Sequence, residues 1–258
     1  MASSDDFADI ADYADYWEQL HASHAHHPAN RYRYWLIARR IEQANVSFET
    51  VLDCGCGDGS LLALVRSKFA PIQTFGLDIN PTNVELLQTR ESRSEFSCAD
   101  LGAPEPEMPW PPVDLALCCE VIEHVPDDDQ AIRNLANLVR PGGTLVLTTQ
   151  SGKIRRTEQF LGHLRHYDID DLRGRVAEAG FEIIECFLSG WPLLDGQKIL
   201  AERFFQQVQD KIIAPGKPSV AIRAAFSVLF HAYKLCAFGR GPQIFILARR
   251  VGETPESP

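Results

Sequence analysis

The sequence contains no run of 18 uncharged apolar residues and no excess of basic residues. Without such a run the chain cannot cross a bilayer as a helix. Its formal net charge of -10 argues against a general nucleic-acid binder, which needs a basic face for the phosphate backbone. The first six residues are acidic and polar, which is not typical of a signal peptide. We therefore expect a cytoplasmic protein without a transmembrane segment or a nucleic-acid partner, and peripheral membrane contact or homodimerisation stays open.

The cysteines favour reduced thiols. There are seven, an odd number, and Cys118 and Cys119 lie inside an apolar run. Cys54 and Cys56 flank a glycine in a loop where we expect a ligand rather than a metal. A chain of this kind fits a reducing compartment.

Residues 51–60, VLDCGCGDGS, form the stretch around which the chain is organised. An apolar pair enters it, three alternating glycines pass through it, and an amphipathic run beginning at Leu61 leaves it. This pattern indicates a buried strand, a tight loop and a helix start. Gly55, Gly57 and Gly59 suit a backbone that a nucleotide-like ligand approaches closely. Ser60 occupies the sixth position of the dinucleotide fingerprint, so the loop alone does not identify a dinucleotide.

Three predicted strands each end in an acid. Asp53 precedes the first glycine and suits a cationic ligand better than a pyrophosphate. Asp78 follows the loop by about twenty residues, where a carboxylate can accept the hydroxyls of a ribose. Asp100 ends a third short strand. An ordered set of strand-end acids indicates a nucleoside-containing cofactor.

These motifs resemble those of class I S-adenosylmethionine (SAM) methyltransferases. Residues 53–59 match the D-x-G-x-G-x-G motif, and residues 138–147 are similar to its L-x-P-G-G-x-L-x-L pattern. Residues 120–124, EVIEH, look like the E-x-x-E-H motif of ubiquinone-biosynthesis O-methyltransferases. The stretch 30–37 is similar to the N-P-x-R-x-x-x-I sequence of that family, although Arg31 replaces its proline. The resemblance covers about 30–190 and 243–250.

The resemblance implies SAM as the cofactor. The amino-acid end of SAM would lie near Asp53 and the glycine loop, the ribose at Asp78, and the adenine at Asp100 and the Leu101 backbone. The full set of cofactor-binding residues that it implies is Arg33, Asp53, Gly55, Cys56, Gly57, Asp78, Ile79, Asp100, Leu101 and Cys119.

We expect an α/β fold with a Rossmann-like, seven-stranded, mostly parallel sheet and helices on both faces. An N-terminal helical segment (1–48) precedes the SAM-binding core (49–190). A helical insert (191–242) follows, with amphipathic segments at 199–213 and 220–238, and the last strand and tail occupy 243–258. The insert is very apolar. This composition is compatible with three roles for the insert: a cap over the acceptor, packing on the N-terminal helices, or a dimer interface.

Catalytic candidates follow the fourth and fifth strands. His124 and His163 are the candidate general bases, because imidazole titrates near working pH. If the turn at 120–124 is helical, Glu120, Glu123 and His124 share a face. In the O-methyltransferases and in small-RNA 2′-O-methyltransferases such residues can hold a divalent ion. Mg²⁺ or Mn²⁺ bound by Glu120, Glu123, His124 and His163 is therefore one alternative, and a metal-free site is the other.

Three functions remain open at this stage. The acidic balance and the apolar insert favour O-methylation of a small acceptor, hydrophobic or lipid-linked. A basic loop at 153–165 favours an RNA 2′-O-methyltransferase, against which stands the net charge. The third alternative is a SAM-binding protein without catalysis, although the intact acids argue for an enzyme.

Overall fold

The computed structural model of the chain describes residues 27–106, 108–206 and 219–252. Their centre is a sheet with the strand order β3-β2-β1-β4-β5-β8-β6-β7. The strands are β1 (Thr50–Cys54), β2 (Gln73–Asp78), β3 (Glu95–Cys98), β4 (Val113–Cys119), β5 (Val139–Gln150), β6 (Phe181–Trp191), β7 (Ala237–Phe238) and β8 (Gln243–Arg250).

Strands β1 to β5 pair in parallel, and β8 lies antiparallel between β5 and β6. Parallel strands are covered on both faces, so their sequences are largely apolar, as β4 is from Leu115 to Cys119. Their carboxyl ends meet at one edge of the sheet, where ligands bind in folds of this kind. The loops after β1, β2, β4 and β5 therefore form one surface.

Helices cover both faces of the sheet. They are α1 (Pro28–Gln43), α2 (Ser60–Phe69), α3 (Pro81–Arg90), α4 (Asp128–Leu138), α5 (Arg156–Phe160), α6 (Ile169–Glu178), α7 (Leu193–Arg203) and α8 (Val220–Tyr233). The buried residues of α4 and α6 form one core cluster with the sheet, and those of α1, α2, α3 and α8 form the other. This layering confirms the expected α/β class.

The sheet has one strand more than predicted. β7 is only two residues long and pairs with Ser189 and Trp191 at the end of β6, and so short a segment leaves no periodic signal. β5 begins at Val139 and includes Pro141, Gly142 and Gly143, residue types that are common in turns. The register between β4 and β5 shifts there, because the pairing of Val113 with Val139 is followed by that of Leu115 with Thr144. These residues therefore form an irregularity inside the strand.

The insert has two described helices with different neighbours. α8 packs on α1, where the rings of Tyr32 and Tyr233 lie 5.9 Å apart and Arg31 stacks 4.3 Å from the Phe230 ring centroid. α7 starts at Leu193, earlier than predicted, and contacts α5 through an Arg156–Glu202 ion pair of 2.7 Å. α8 ends at Tyr233, before the predicted limit of 238.

Some predictions fall outside the described residues. These are the first N-terminal helix, which the apolar positions of residues 7–17 indicate, and the part of the insert at 207–218. Within the described part of the chain, no helix is long and apolar enough to cross a membrane. All seven cysteines are free thiols.

Candidate active site

The glycine loop joins β1 to α2 in the predicted manner. Gly55, Gly57 and Gly59 all have positive φ angles, of 73°, 51° and 72°. A side chain at Gly55 would collide with Val121, so both the conformation and the space require glycine there. The Gly57 N–H donates to Oδ2 of Asp78 at 2.8 Å, which ties the loop to the end of β2.

Asp53 is a buried acid at the end of β1 without a full set of partners. It is 1% exposed, and among the described residues its Oδ1 has no hydrogen-bond partner. Burial raises its pKa well above the ordinary value, and the nearby carboxylates of Asp78 and Asp58 add to the shift. A buried acid beside a glycine loop, with one oxygen that lacks a partner, is suited to a cationic group such as the ammonium of SAM.

The other two strand-end acids lie along the same edge, because β1, β2 and β3 are neighbours in the sheet. Asp78 accepts from the Asn80 N–H at 2.9 Å through its second oxygen, Oδ1. Exposed Asp100 accepts from the Gly102 N–H at 2.8 Å. Ile79 is 62% exposed although it is apolar, while the side chain of Leu101 is buried. The predicted nucleoside surface thus combines acids with an exposed apolar side chain.

The two cysteines assigned to the cofactor differ in position. Cys56 is buried beneath the loop, and its N–H donates to the Leu77 carbonyl at 2.9 Å. Cys119 ends β4 and accepts from Oγ1 of Thr148 at 3.1 Å. Burial raises the pKa of Cys119 to about 12, despite the neighbouring Arg33, so the thiol is neutral.

Arg33 of α1 reaches across to Glu120, directly after β4. Nη2 of Arg33 donates to Oε2 of Glu120 at 3.0 Å. Its other nitrogens donate to Oδ1 of Asn30 at 3.1 Å and Oε1 of Gln243 at 3.2 Å. Glu120 has a positive φ of 58° and also accepts from Nε2 of Gln150 and Gln243. Burial alone would raise the pKa of Glu120, but Arg33 and the two amides outweigh burial and lower it.

A second cluster follows Glu120 in the chain. Ligand atoms of Glu123, His124 and His163 all lie within 4.8 Å of one another. Oε2 of Glu123 accepts from Oγ1 of Thr149 at 2.8 Å, while its buried Oε1 has no partner within the described residues. Burial, reinforced by the charge of Glu120, raises the pKa of Glu123 to about 8. This carboxyl is therefore mostly protonated at neutral pH, whereas Glu120 is ionised.

The two histidines of this cluster are neutral. Nδ1 of His124 lies 3.1 Å from the Gly162 carbonyl, which can only accept, so Nδ1 carries the proton and Nε2 has the lone pair. Burial lowers the pKa of His124. Burial, together with the neighbouring His124, lowers the pKa of His163 to about 3. The ring centroids of the two residues are 4.7 Å apart.

The comparisons with known proteins identify the family. A family model described as a methyltransferase domain matches residues 16–186, which is most of the chain. The chain belongs to this family. The glycine loop and buried Asp53, whose Oδ1 has no partner among the described residues, lie inside this methyltransferase domain.

Individual relatives agree at this level. The methyltransferase is 34% identical over 128 residues to a ubiquinone biosynthesis O-methyltransferase of Xanthomonas euvesicatoria, covering 48% of this chain and 51% of the relative. It is 34% identical over 110 residues to the enzyme of that name from Pseudomonas paraeruginosa, covering 42% and 47%. The matches thus span about half the length of these relatives.

Solved structures share the fold. A phosphoethanolamine N-methyltransferase 2 of Haemonchus contortus in complex with SAM has a TM-score of 0.60 at 19% identity, covering 98% of this chain and 61% of that one. The [4+2]-cyclase SpnF has a TM-score of 0.58 at 22% identity, covering 87% and 82%. At these identities the likeness shows the architecture alone.

The sequence groups Glu120 with the later cluster, but the structure separates them. Within the described residues, the group that could bind a metal contains Glu123, His124 and His163 without Glu120. Glu120 is engaged instead by Arg33 and two glutamine amides. The shared helical face is not formed, because only residues 122–124 adopt a short 3₁₀ turn.

Three residues of the candidate site were not predicted from the sequence. Buried Gln243 bonds both Arg33 and Glu120 from the first position of β8. Burial raises the pKa of Tyr34 well above its ordinary value, and the charges of Asp58 and Asp53 contribute, which places Tyr34 near the cofactor loop. Lys198 of α7 donates to Oε1 of Gln150. The position of Tyr34 beside Arg33 was a usable signal, whereas Gln243 and Lys198 lie in no motif.

Proposed function

We propose that the methyltransferase O-methylates a small hydrophobic acceptor. The observation that carries the proposal is the cluster of Glu123, His124 and His163 just beyond β4, because O-methylation needs a group that removes the hydroxyl proton. The names of the relatives support the same chemistry, since they are ubiquinone biosynthesis O-methyltransferases. Bound SAM supplies an electrophilic methyl group, so the chain itself has to orient the acceptor and remove its proton.

In this proposal His124 is the general base. Its Nδ1 proton is held by Gly162, so the lone pair on Nε2 can accept the hydroxyl proton while the acceptor oxygen bonds to the methyl carbon and the carbon–sulfur bond breaks. The low pKa of His163 makes it a poorer base, and its assigned role is to orient the acceptor. Neutral histidines are suited to receive a proton at working pH.

The proposal is tested with His124→Ala and His163→Ala, using His231→Ala on exposed α8 as the matched control. We expect His124→Ala to lower kcat by about 100-fold or more, the usual contribution of a general base, with SAM affinity unchanged. The acceptor panel contains catechols, sugars and short RNA. Methylation of RNA alone would assign the alternative 2′-O-methyltransferase function, and full turnover by His124→Ala would reject the assigned base.

We assign SAM to the surface over β1, β2 and β3. Asp53 and the loop glycines Gly55 and Gly57 would hold the amino-acid end, and Asp78 the ribose. The remaining contacts in this assignment are made by Ile79, Asp100 and Leu101 to the adenine, with Arg33, Cys56 and Cys119 around the methionine part. The unpaired Oδ1 of Asp53 supports this orientation, because the ammonium would satisfy it.

A divalent ion is the second candidate feature of the site. Glu123, His124 and His163 would hold Mg²⁺ or Mn²⁺ near the acceptor oxygens. The unpaired Oε1 of Glu123 and the neutral imidazoles fit a cation, although binding would have to displace the proton that the raised pKa leaves on Glu123. Activity that vanishes in EDTA and returns with Mg²⁺ or Mn²⁺ would support the ion, and full activity in EDTA would reject it.

The insert forms part of the acceptor site in this proposal. α7 supplies Lys198, which contacts the end of β5, while the apolar side chains of Ile199, Leu200 and Phe204 remain exposed. A lid of this composition would cover a hydrophobic acceptor and keep water from the transfer. Packing on α1 accounts for α8 but leaves these α7 side chains without a role. A homodimer that buries them is the competing explanation, and sedimentation tests it.

A further inference from the structure

A cavity of about 180 Å³ opens directly beyond the end of β5. Its walls come from the loop after β5, from α5 and α7, and from the two residues before β8. The charged residues of its lining are Lys153, Arg155, Glu158, Asp195 and Lys198. None of them has a role in the proton transfer described above.

The charges of this cavity are not balanced. Three basic and two acidic side chains line it, and one acid is already engaged. Oε1 of buried Glu158 accepts from Nζ of Lys198 at 2.7 Å, and its Oε2 accepts from the Arg155 N–H at 2.7 Å. The side chains of Lys153 and Arg155 have no ion-pair partner among residues 27–106, 108–206 and 219–252. The chain as a whole has a net charge of -10, so the positive charge of this cavity is opposite to that of the protein and favours an anionic ligand.

Side-chain contacts connect the cavity to the proposed transfer site. Nε2 of His166 lies 3.7 Å from Oε2 of Glu158 and 3.1 Å from Nδ1 of His163. On the other side, Lys198 donates to Gln150. Only the side chains of Glu158 and His166 therefore separate the cavity from His163, where the methyl acceptor is proposed to bind.

We infer that the cavity binds an anionic group of the acceptor, a carboxylate or a phosphate, held by Lys153 and Arg155. This inference rests on the proposed function and adds a substrate class to it. The guanidinium of Arg155 can donate two parallel hydrogen bonds to either anion, and Lys153 adds a point charge. The anion would fix the acceptor so that its hydroxyl faces His124.

The test measures binding by calorimetry in the presence of S-adenosylhomocysteine, so it does not depend on turnover. The probes are catechol, 3,4-dihydroxybenzoate and catechol monophosphate. We expect wild-type protein to bind at least one anionic probe about 10-fold or more tightly than catechol, and the preferred probe distinguishes carboxylate from phosphate. The double variant Lys153→Ala/Arg155→Ala should lose this preference, because it removes both cations. Alanine at 155 keeps the backbone N–H that donates to Glu158, so the local structure should be retained.

The matched control is Arg90→Ala, which removes an exposed cation on α3 and should leave the preference intact. Equal binding of all three probes by the wild type, or a preference unchanged in the double variant, overturns the inference. Failure of the proposed function looks different, because it would appear as full turnover in His124→Ala whatever the probe preference. Thermal unfolding of each variant establishes that the fold is retained.

Discussion

The contribution of the Arg33–Glu120 ion pair to the free energy of unfolding can be predicted from the structure. The two side chains are 11% and 16% exposed, so both charges are largely removed from water. Removing one partner of a buried pair costs about 3–5 kcal/mol, because the other charge is left uncompensated. Arg33 would keep its bonds to Asn30 and Gln243, so we expect Glu120→Ala to destabilise the protein by about 3 kcal/mol, at the low end of that range.

Urea unfolding measures this cost, and a double-mutant cycle separates the pair from its surroundings. Glu120→Gln keeps the shape and should cost less than Glu120→Ala. Alanine and glutamine both keep a Cβ at the positive φ, so the backbone strain cancels in the comparison. The double variant Arg33→Met/Glu120→Ala should be more stable than the sum of the single variants predicts. A loss below about 1 kcal/mol in Glu120→Ala, or strict additivity, would refute the reasoning.

Three further predictions concern the cofactor surface, the buried acid and the insert. Asp78→Ala should weaken SAM binding by about 2–3 kcal/mol, because charged hydrogen bonds are lost. The control Glu178→Ala, which changes an exposed acid, should leave SAM affinity unchanged. If calorimetry gives Asp78→Ala the SAM affinity of the wild type, Asp78 does not bind the ribose. The pKa of Glu123 in the folded protein is raised to about 8, against an ordinary 4.5. Between these two values the folded state keeps a proton that the unfolded state releases. Measured in EDTA, the free energy of unfolding should therefore fall by up to about 1.4 kcal/mol per pH unit from pH 5 to 7.5. Glu123→Gln should flatten that slope in urea unfolding, and an unchanged slope contradicts the assignment. Phe204→Ala should raise the acceptor KM with little effect on Tm, because Phe204 is exposed. Phe230→Ala should lower the free energy of unfolding by about 3–5 kcal/mol, because Phe230 is buried. An equal loss of stability in both variants would reject the proposal that the insert is a lid.

The glycine loop and the strand-end acids, which we assign to the cofactor, are local patterns that can be predicted from the sequence. Strand β1 needs only an apolar run before Gly55, and Asp78 needs only its distance from the loop. Both signals depend on one βα unit, whose geometry is set by residues close in the chain. The α/β class, which follows from such βα units, is confirmed by the structure.

The rest of the candidate site depends on contacts that no short pattern contains. Arg33 and Gln243 are 210 positions apart and meet only because β8 inserts between β5 and β6. The spacing of Glu120 and Glu123 suggested one shared site, but the backbone at Glu120 turns its side chain to Arg33. Lys198 reaches Glu158 only through the docking of α7, for which periodicity gives no partner. Tertiary pairing therefore decided what local spacing could not.

The position of Gln243 has a consequence for how the enzyme is made. Its amide donates to Glu120 at 2.7 Å and to the Thr149 carbonyl at 2.8 Å from the first residue of the last strand. Synthesis runs from the N-terminus, so the ribosome completes the cofactor loop long before it reaches this residue. A nascent chain can form the proposed SAM surface early, but the charge of Glu120 has its full set of partners only after β8 joins the sheet. The cluster of Arg33, Glu120 and Gln243 is thus among the last parts of the fold to be completed, and ribosome-bound chains that stop short of β8 should lack it.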